Sequence, residues 1–203
     1  MKLICDKLAE NGYDVIMPDC FRGETKATNP DVFAWLKKYT GGEIMKDINA
    51  CIEHLLKTTD ISINKGSSSE GEIIQQQLSF GTIGFCWGGW AIAKSASEGI
   101  DWKCAISAHP STKIETLVFG DDETSMFEKV RFPFLLLPAG DDMDNLKPGS
   151  QVVAELNKYG GKSVLFERMN HGWVTRGDLS SSEVKEDAEK ALTLALDFFH
   201  QHL

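Results

Sequence analysis

The sequence predicts an α/β fold with a mostly parallel sheet flanked by helices. Three observations carry this. Short apolar runs of strand length alternate with stretches of helical periodicity, the pattern of βαβ units. The 203 residues suffice for one domain with a sizeable core. The apolar fraction of 42% and charged fraction of 25% are those of ordinary globular chains, which argues against disorder, a fibre or a bilayer protein.

Taken in order, Leu3, Ile4 and Leu8 have helical spacing, stopped by Asn11-Gly12. Tyr13 to Met17 is a short apolar run closed by Pro18 and reads as a buried strand. A turn-rich stretch leads to a helix around Phe33–Leu36, ended by Gly41-Gly42. Ile44, Ile48, Ile52, Leu55 and Leu56 then mark an amphipathic helix. Residues 65–77, rich in Ser, Gly and Gln, read as a solvated loop, since the pattern resumes at once. Strands follow at 80–85, 104–106, 134–137 and 163–166, with helices at 87–97, 149–159 and 183–201. No internal repeat interrupts this order, so residues 1–203 form a single domain.

Charge and cysteine content narrow the function. A net charge of −9 disfavours nucleic acid and anionic membranes, which need clustered Lys and Arg. No run approaches the ~20 apolar residues that span a bilayer, and the N-terminus lacks the apolar core of a signal peptide. The five cysteines are scattered and odd in number, without C-x-x-C pairs, which favours a reducing, cytoplasmic setting over a disulfide framework or a zinc site. No cofactor or metal is expected.

The sharpest local signal is Gly84-Phe85-Cys86-Trp87-Gly88-Gly89, set between a strand and a helix. A strand turning sharply into a helix holds its central side chain out, and Gly84 and Gly88 supply small neighbours two residues away. The helix N-terminus beside the thiol favours thiolate. The competing reading is a tight turn with Cys86 buried as a small apolar residue. A phosphate loop fits less well, because no Lys-Ser/Thr follows. A thiol redox centre is disfavoured by the missing second cysteine. Further on, Gly140-Asp141-Asp142-Met143-Asp144 follows the strand at 134–137, and Asn170-His171-Gly172-Trp173 follows the last strand. Alone, an acidic turn is solvation and a loop histidine is structural. Nucleophile, acid and histidine in this chain order, at strand ends, form the arrangement of an α/β-hydrolase triad.

The chain resembles the dienelactone hydrolase family, which includes the carboxymethylenebutenolidases, over nearly its whole length. The resemblance rests on Met17-Pro18-Asp19-Cys20-Phe21-Arg22-Gly23, the cysteine elbow, Ser107-Ala108-His109-Pro110-Ser111, Ala139-Gly140-Asp141-Asp142, and His171-Gly172-Trp173-Val174 with Arg176-Gly177-Asp178. The resemblance implies a cysteine-dependent hydrolase of small esters or lactones. A monomer is expected. Cys86 would be the nucleophile, His171 the base and Asp142 the acid, with Asp141 and Asp144 as close rivals. The Trp87 N–H would serve as an oxyanion donor. Arg22, Arg176 and His109 are candidates for holding substrate, against solvent-facing arginines and a hydrogen-bonded turn histidine.

Against the family pattern, the chain opens inside the helix that would follow the third strand. The resemblance therefore implies an N-terminally truncated chain lacking the N-terminal strands. The absent central strand would leave a gap between 13–17 and 80–85, and its loop would carry the second oxyanion N–H and a glutamate that meets the resting cysteine. A catalytically impaired fragment or interaction protein is the alternative reading. Trp35, Trp90 and Trp102 are expected to pack, and His54, His200 and His202 to be solvated or structural.

Overall fold

A computed structural model describes residues 2–58 and 78–203. The solvated-loop expectation for 65–77 lies outside these residues. Four parallel strands, β1 (Gly81–Cys86), β2 (Cys104–Pro110), β3 (Phe134–Leu137) and β4 (Lys162–Ser163), lie side by side in chain order. Eight α-helices are described: α1 (Lys2–Glu10), α2 (Val32–Leu36), α3 (Gly41–Thr58), α4 (Trp87–Ser97), α5 (Glu123–Phe127), α6 (Gln151–Asn157), α7 (Trp173–Arg176) and α8 (Ser182–His202).

The strands read as unbroken apolar runs because both faces of the sheet are covered. All seven residues of β2 and all four of β3 are buried. Successive side chains point to opposite faces. Ala105, Phe134 and Leu136 join a core with α3, α4 and α6, built around Trp90, Trp35 and Trp102. Ile106, Ala108, Leu135 and Leu137 face the other way, against Ala191, Ala195, Phe198 and Phe199 of α8. Those four helix positions fall on one stripe at 3.6 residues per turn.

The last strand is shorter than its apolar run, with only Lys162 and Ser163 in the ladder. One further bridge joins Ala139 to Phe166. Gly41 and Gly42 open α3 instead of ending the helix before it. A π-helical turn at Glu115–Phe119 and the short helices α5 and α7 lie where no helical periodicity of useful length exists.

The strand expected at Tyr13–Met17 is not formed. Strand conformation needs a ladder partner, and β1 pairs only with β2 among the described residues. Val15, Ile16 and Met17 are accordingly 36–56% exposed. Between this segment and β1 lies a cavity of about 890 Å³ whose walls include Ile4, Tyr13, Ile16, Ile83 and Phe85.

Close packing of α4 on the sheet depends on glycine at its own position 89. A Cβ at Gly89 would overlap the Ser107 hydroxyl and stand 2.8 Å from the Pro110 Cβ. Gly89→Ala is therefore expected to destabilise the fold by about 1–3 kcal/mol through overpacking, lowering Tm by several degrees. Gly88→Ala, whose Cβ would meet nothing within 4 Å, should stay within about 0.5 kcal/mol of the parent. Thermal melting of both variants checks this, and equal melts would contradict it.

Candidate active site

Strand β1 ends at Cys86, which has φ 54° and ψ −119°, and α4 begins at the next residue. A non-glycine residue held at positive φ is the strained turn that an exposed nucleophile requires. Gly84 makes that turn feasible, since a Cβ there would overlap the Gly88 carbonyl and crowd Ile92. At Gly88 a Cβ would meet nothing within 4 Å, so no contact there requires the small side chain expected of it.

The other two groups arrive on loops at the ends of β3 and of the 163–166 run. The loops are clamped together by the Gly140 N–H, which donates to the Met169 carbonyl at 2.9 Å. A second clamp is the His171 N–H donating to Asp141 Oδ1 at 2.6 Å. This leaves the His171 ring with Nδ1 2.6 Å from Asp142 Oδ1. The Asp142 carboxylate is itself fixed, because Oδ2 accepts from the Ala139 N–H at 2.8 Å. Asp144 points away into solvent and pairs with Lys147. Of the three rival aspartates, Asp142 holds the ring, Asp141 holds the backbone, and Asp144 holds neither.

The electrostatics follow from these contacts. The Asp142 hydrogen bond and the contact with Cys86, opposed by burial, raise the His171 pKa to about 9. Burial alone would push the Cys86 thiol up. Hydrogen bonds from His171 and Ser111, the His171 charge and the Trp87 N–H outweigh it and bring the thiol down to about 7. By contrast, burial pushes Cys104 up to about 12 and Cys20 up to about 11. Of these three thiols, Cys86 alone is brought down toward neutrality. Its alkylation by iodoacetamide should rise with pH through a midpoint near 7, because the thiolate fraction grows as the proton leaves. His171→Ala should move the midpoint upward, toward the ordinary thiol value. An unchanged midpoint in that variant would contradict the pairing.

The remaining expected residues divide. Arg176, in the helix that begins two residues after His171, lines the same cavity as Cys86, Trp87 and Phe21. Arg22 is committed elsewhere. Its guanidinium makes two hydrogen bonds to Asp47, at 2.7 and 2.9 Å, and it does not line the cavity. His109 is fully buried behind the site, its ring edge-on to His171 with centroids 5.1 Å apart. It too is absent from the cavity wall. Neither of its ring nitrogens has a hydrogen-bond partner among the described residues. The turn-histidine reading, which supplied hydrogen bonds, is therefore not met either.

Ser111 was not singled out by sequence reasoning, although its hydroxyl lies 3.4 Å from Cys86 Sγ and 3.3 Å from His171 Nε2. Only the adjacency of β1 and β2 brings it there. No group of three His, Cys, Asp or Glu suited to a metal occurs among the described residues. No helix among them is long and apolar enough to cross a membrane.

The chain is similar to several known proteins. The hydrolase tropI of Talaromyces stipitatus is 27% identical over 208 residues, covering 100% of this chain and 75% of that protein. A carboxymethylenebutenolidase homolog of Mus musculus is 22% identical over 184 residues, 86% of this chain and 64% of its own length. Among solved structures, an acylaminoacyl peptidase of Pyrococcus horikoshii superposes with a TM-score of 0.56 over 83% of this chain and 29% of that one. At 14% identity this likeness speaks to the fold alone. The dienelactone hydrolase family profile matches residues 1–203 from end to end, and the chain belongs to that family of hydrolases.

Proposed function

We propose that this hydrolase cleaves small esters or lactones through Cys86, His171 and Asp142. The observation that carries the reading is the His171 ring, held at Nδ1 by Asp142 and directed at Nε2 toward the Cys86 thiol. Cys86 Sγ attacks the carbonyl carbon, and the oxyanion so formed takes a hydrogen bond from the Trp87 N–H at the start of α4. As the C–O bond breaks, imidazolium His171 gives its proton to the leaving oxygen and a thioester remains. For a lactone, the alcohol stays tethered to the acyl group. Water then adds to the thioester while His171 takes its proton, and collapse releases the acid and restores the thiolate. Asp142 keeps the ring oriented and stabilises the imidazolium throughout.

Arg176 is the group placed to hold a substrate carboxylate, since it shares the cavity with Cys86. Phe21 and Trp87, with ring centroids 4.5 Å apart, offer an aromatic wall for the rest of a small substrate. The test is hydrolysis of an activated aryl ester and of a dienelactone, with the acyl-enzyme trapped and weighed. Turnover with an adduct on Cys86 is expected. A folded chain that turns over neither compound overturns the reading in favour of an inert or binding protein.

A further inference from the structure

Cys86 and His171 lie on different loops, yet one hydroxyl touches both. Ser111 Oγ stands within hydrogen-bond reach of Cys86 Sγ and of His171 Nε2, and its placement is built into the sheet. The register of β1 on β2 pairs Phe85 with Ala108, and then Cys86 with Pro110. His109 is the extra residue, a bulge at φ 38°. Bulges of this kind re-aim the side chains that follow them. The bulged ring is packed between Phe85, 5.9 Å away, and His171. Burial, then the charge of His171, holds it neutral with a pKa of about 4.

Beyond the bulge, the Ser111 N–H donates to the Cys86 carbonyl at 2.9 Å, tying the serine to the same residue whose thiol it meets. Thr112 next to it donates its hydroxyl to buried Glu123. The Glu123 carboxylate also accepts from Asn145 at 2.8 Å. A backbone hydrogen bond on one side and a buried polar cluster on the other leave the hydroxyl little freedom to turn elsewhere.

We infer that Ser111 is a further catalytic residue, whose hydroxyl donates to the Cys86 thiolate beside the His171 imidazolium. The inference rests on Cys86 being the nucleophile. In the neutral pair the Cys86 S–H meets His171 Nε2 directly, and activation moves that proton from sulfur to nitrogen. The S–H bond breaks, an N–H bond forms, and no electrons are gained or lost. The products are a thiolate and an imidazolium beside the Ser111 hydroxyl. That hydroxyl then donates to the thiolate and stabilises it until the substrate carbonyl arrives.

That hydrogen bond makes Ser111 part of thiol activation and not merely of packing. The experiment is the pH profile of Cys86 alkylation by iodoacetamide in the whole chain, in the parent, Ser111→Ala, Ser111→Thr and His171→Ala. Loss of the hydroxyl should raise the midpoint by about one unit, slowing alkylation below the midpoint about tenfold. Ser111→Thr should restore much of it, and melting should show the variants folded. Should the alanine variant not fold, Ser111→Val against Ser111→Thr decides, since the two differ mainly by the hydroxyl. A Ser111→Ala profile that overlays the parent overturns this role, as does a raised midpoint that threonine leaves unchanged. If His171→Ala moves the midpoint while Ser111→Ala does not, the nucleophile reading stands and only the role of Ser111 falls. If the parent thiol reacts no faster than an ordinary cysteine, both fall.

Discussion

Cys86→Ala and His171→Ala are each expected to reduce ester hydrolysis by roughly 10⁴–10⁶-fold, and the double variant to be no worse than either alone. The reason lies in how the two groups share one proton. At neutral pH the thiol, brought down to about 7, and the imidazole, raised to about 9, form an ion pair between those values. Remove the imidazole and burial again dominates the thiol, so the nucleophile is largely protonated and the leaving group lacks its acid. Remove the thiol and the imidazolium has nothing to activate. What survives is the Trp87 N–H and the cavity, which act on a substrate that no group attacks. Cys86→Ser should fall close to the alanine variant despite its similar shape, because a hydroxyl lies far above the range in which His171 can hold it ionised. Steady-state kinetics on an aryl ester, with melting as the control for folding, reads all four variants. A double variant substantially slower than both singles would mean that the two residues do not act as a unit.

How much of this was legible in the sequence depended on whether the deciding chemistry is local. The elbow was, because a strand, a glycine and a helix start lie within a few residues, and α4 begins at Trp87 and ends at Ser97 as its small residues suggest. The strand Phe134–Leu137 was, because burial on both faces makes a run of four apolar residues unambiguous beside its prolines. Tyr13–Met17 has the same apolar character but no partner strand among the described residues, and a strand is a property of a pair. Asp141, Asp142 and Asp144 are alike in composition, and only the clamp between two loops distant in sequence separates them. Arg22 was drawn toward the substrate by its motif, whereas Asp47, 25 residues later on α3, takes its guanidinium. Ser111 was hidden because its contacts cross from one strand to the next and then to a third loop. None of these spacings leaves a periodic trace.

The aspartates give the second large expected effect. Asp142→Asn should lower the rate by roughly 10³–10⁴-fold. An amide in place of the carboxylate no longer stabilises the imidazolium. It can also turn its N–H₂ toward Nδ1, which then accepts and leaves the proton on Nε2, the wrong nitrogen for a base. The Cys86 alkylation midpoint should rise in the same variant, because the imidazolium that stabilises the thiolate is itself weakened. Asp141→Asn keeps an oxygen acceptor for the His171 N–H and should cost less than about tenfold. Asp144→Asn touches only an exposed pair with Lys147 and should leave the rate unchanged. The order of the three, and not the size of any one, carries the argument. All three substitutions remove one negative charge from the same loop, so an effect of the general field would act on all of them with similar strength. If Asp141→Asn proved as severe as Asp142→Asn, the position of the His171 backbone would matter as much as the charge on its ring. The acid would then be acting mainly by placement.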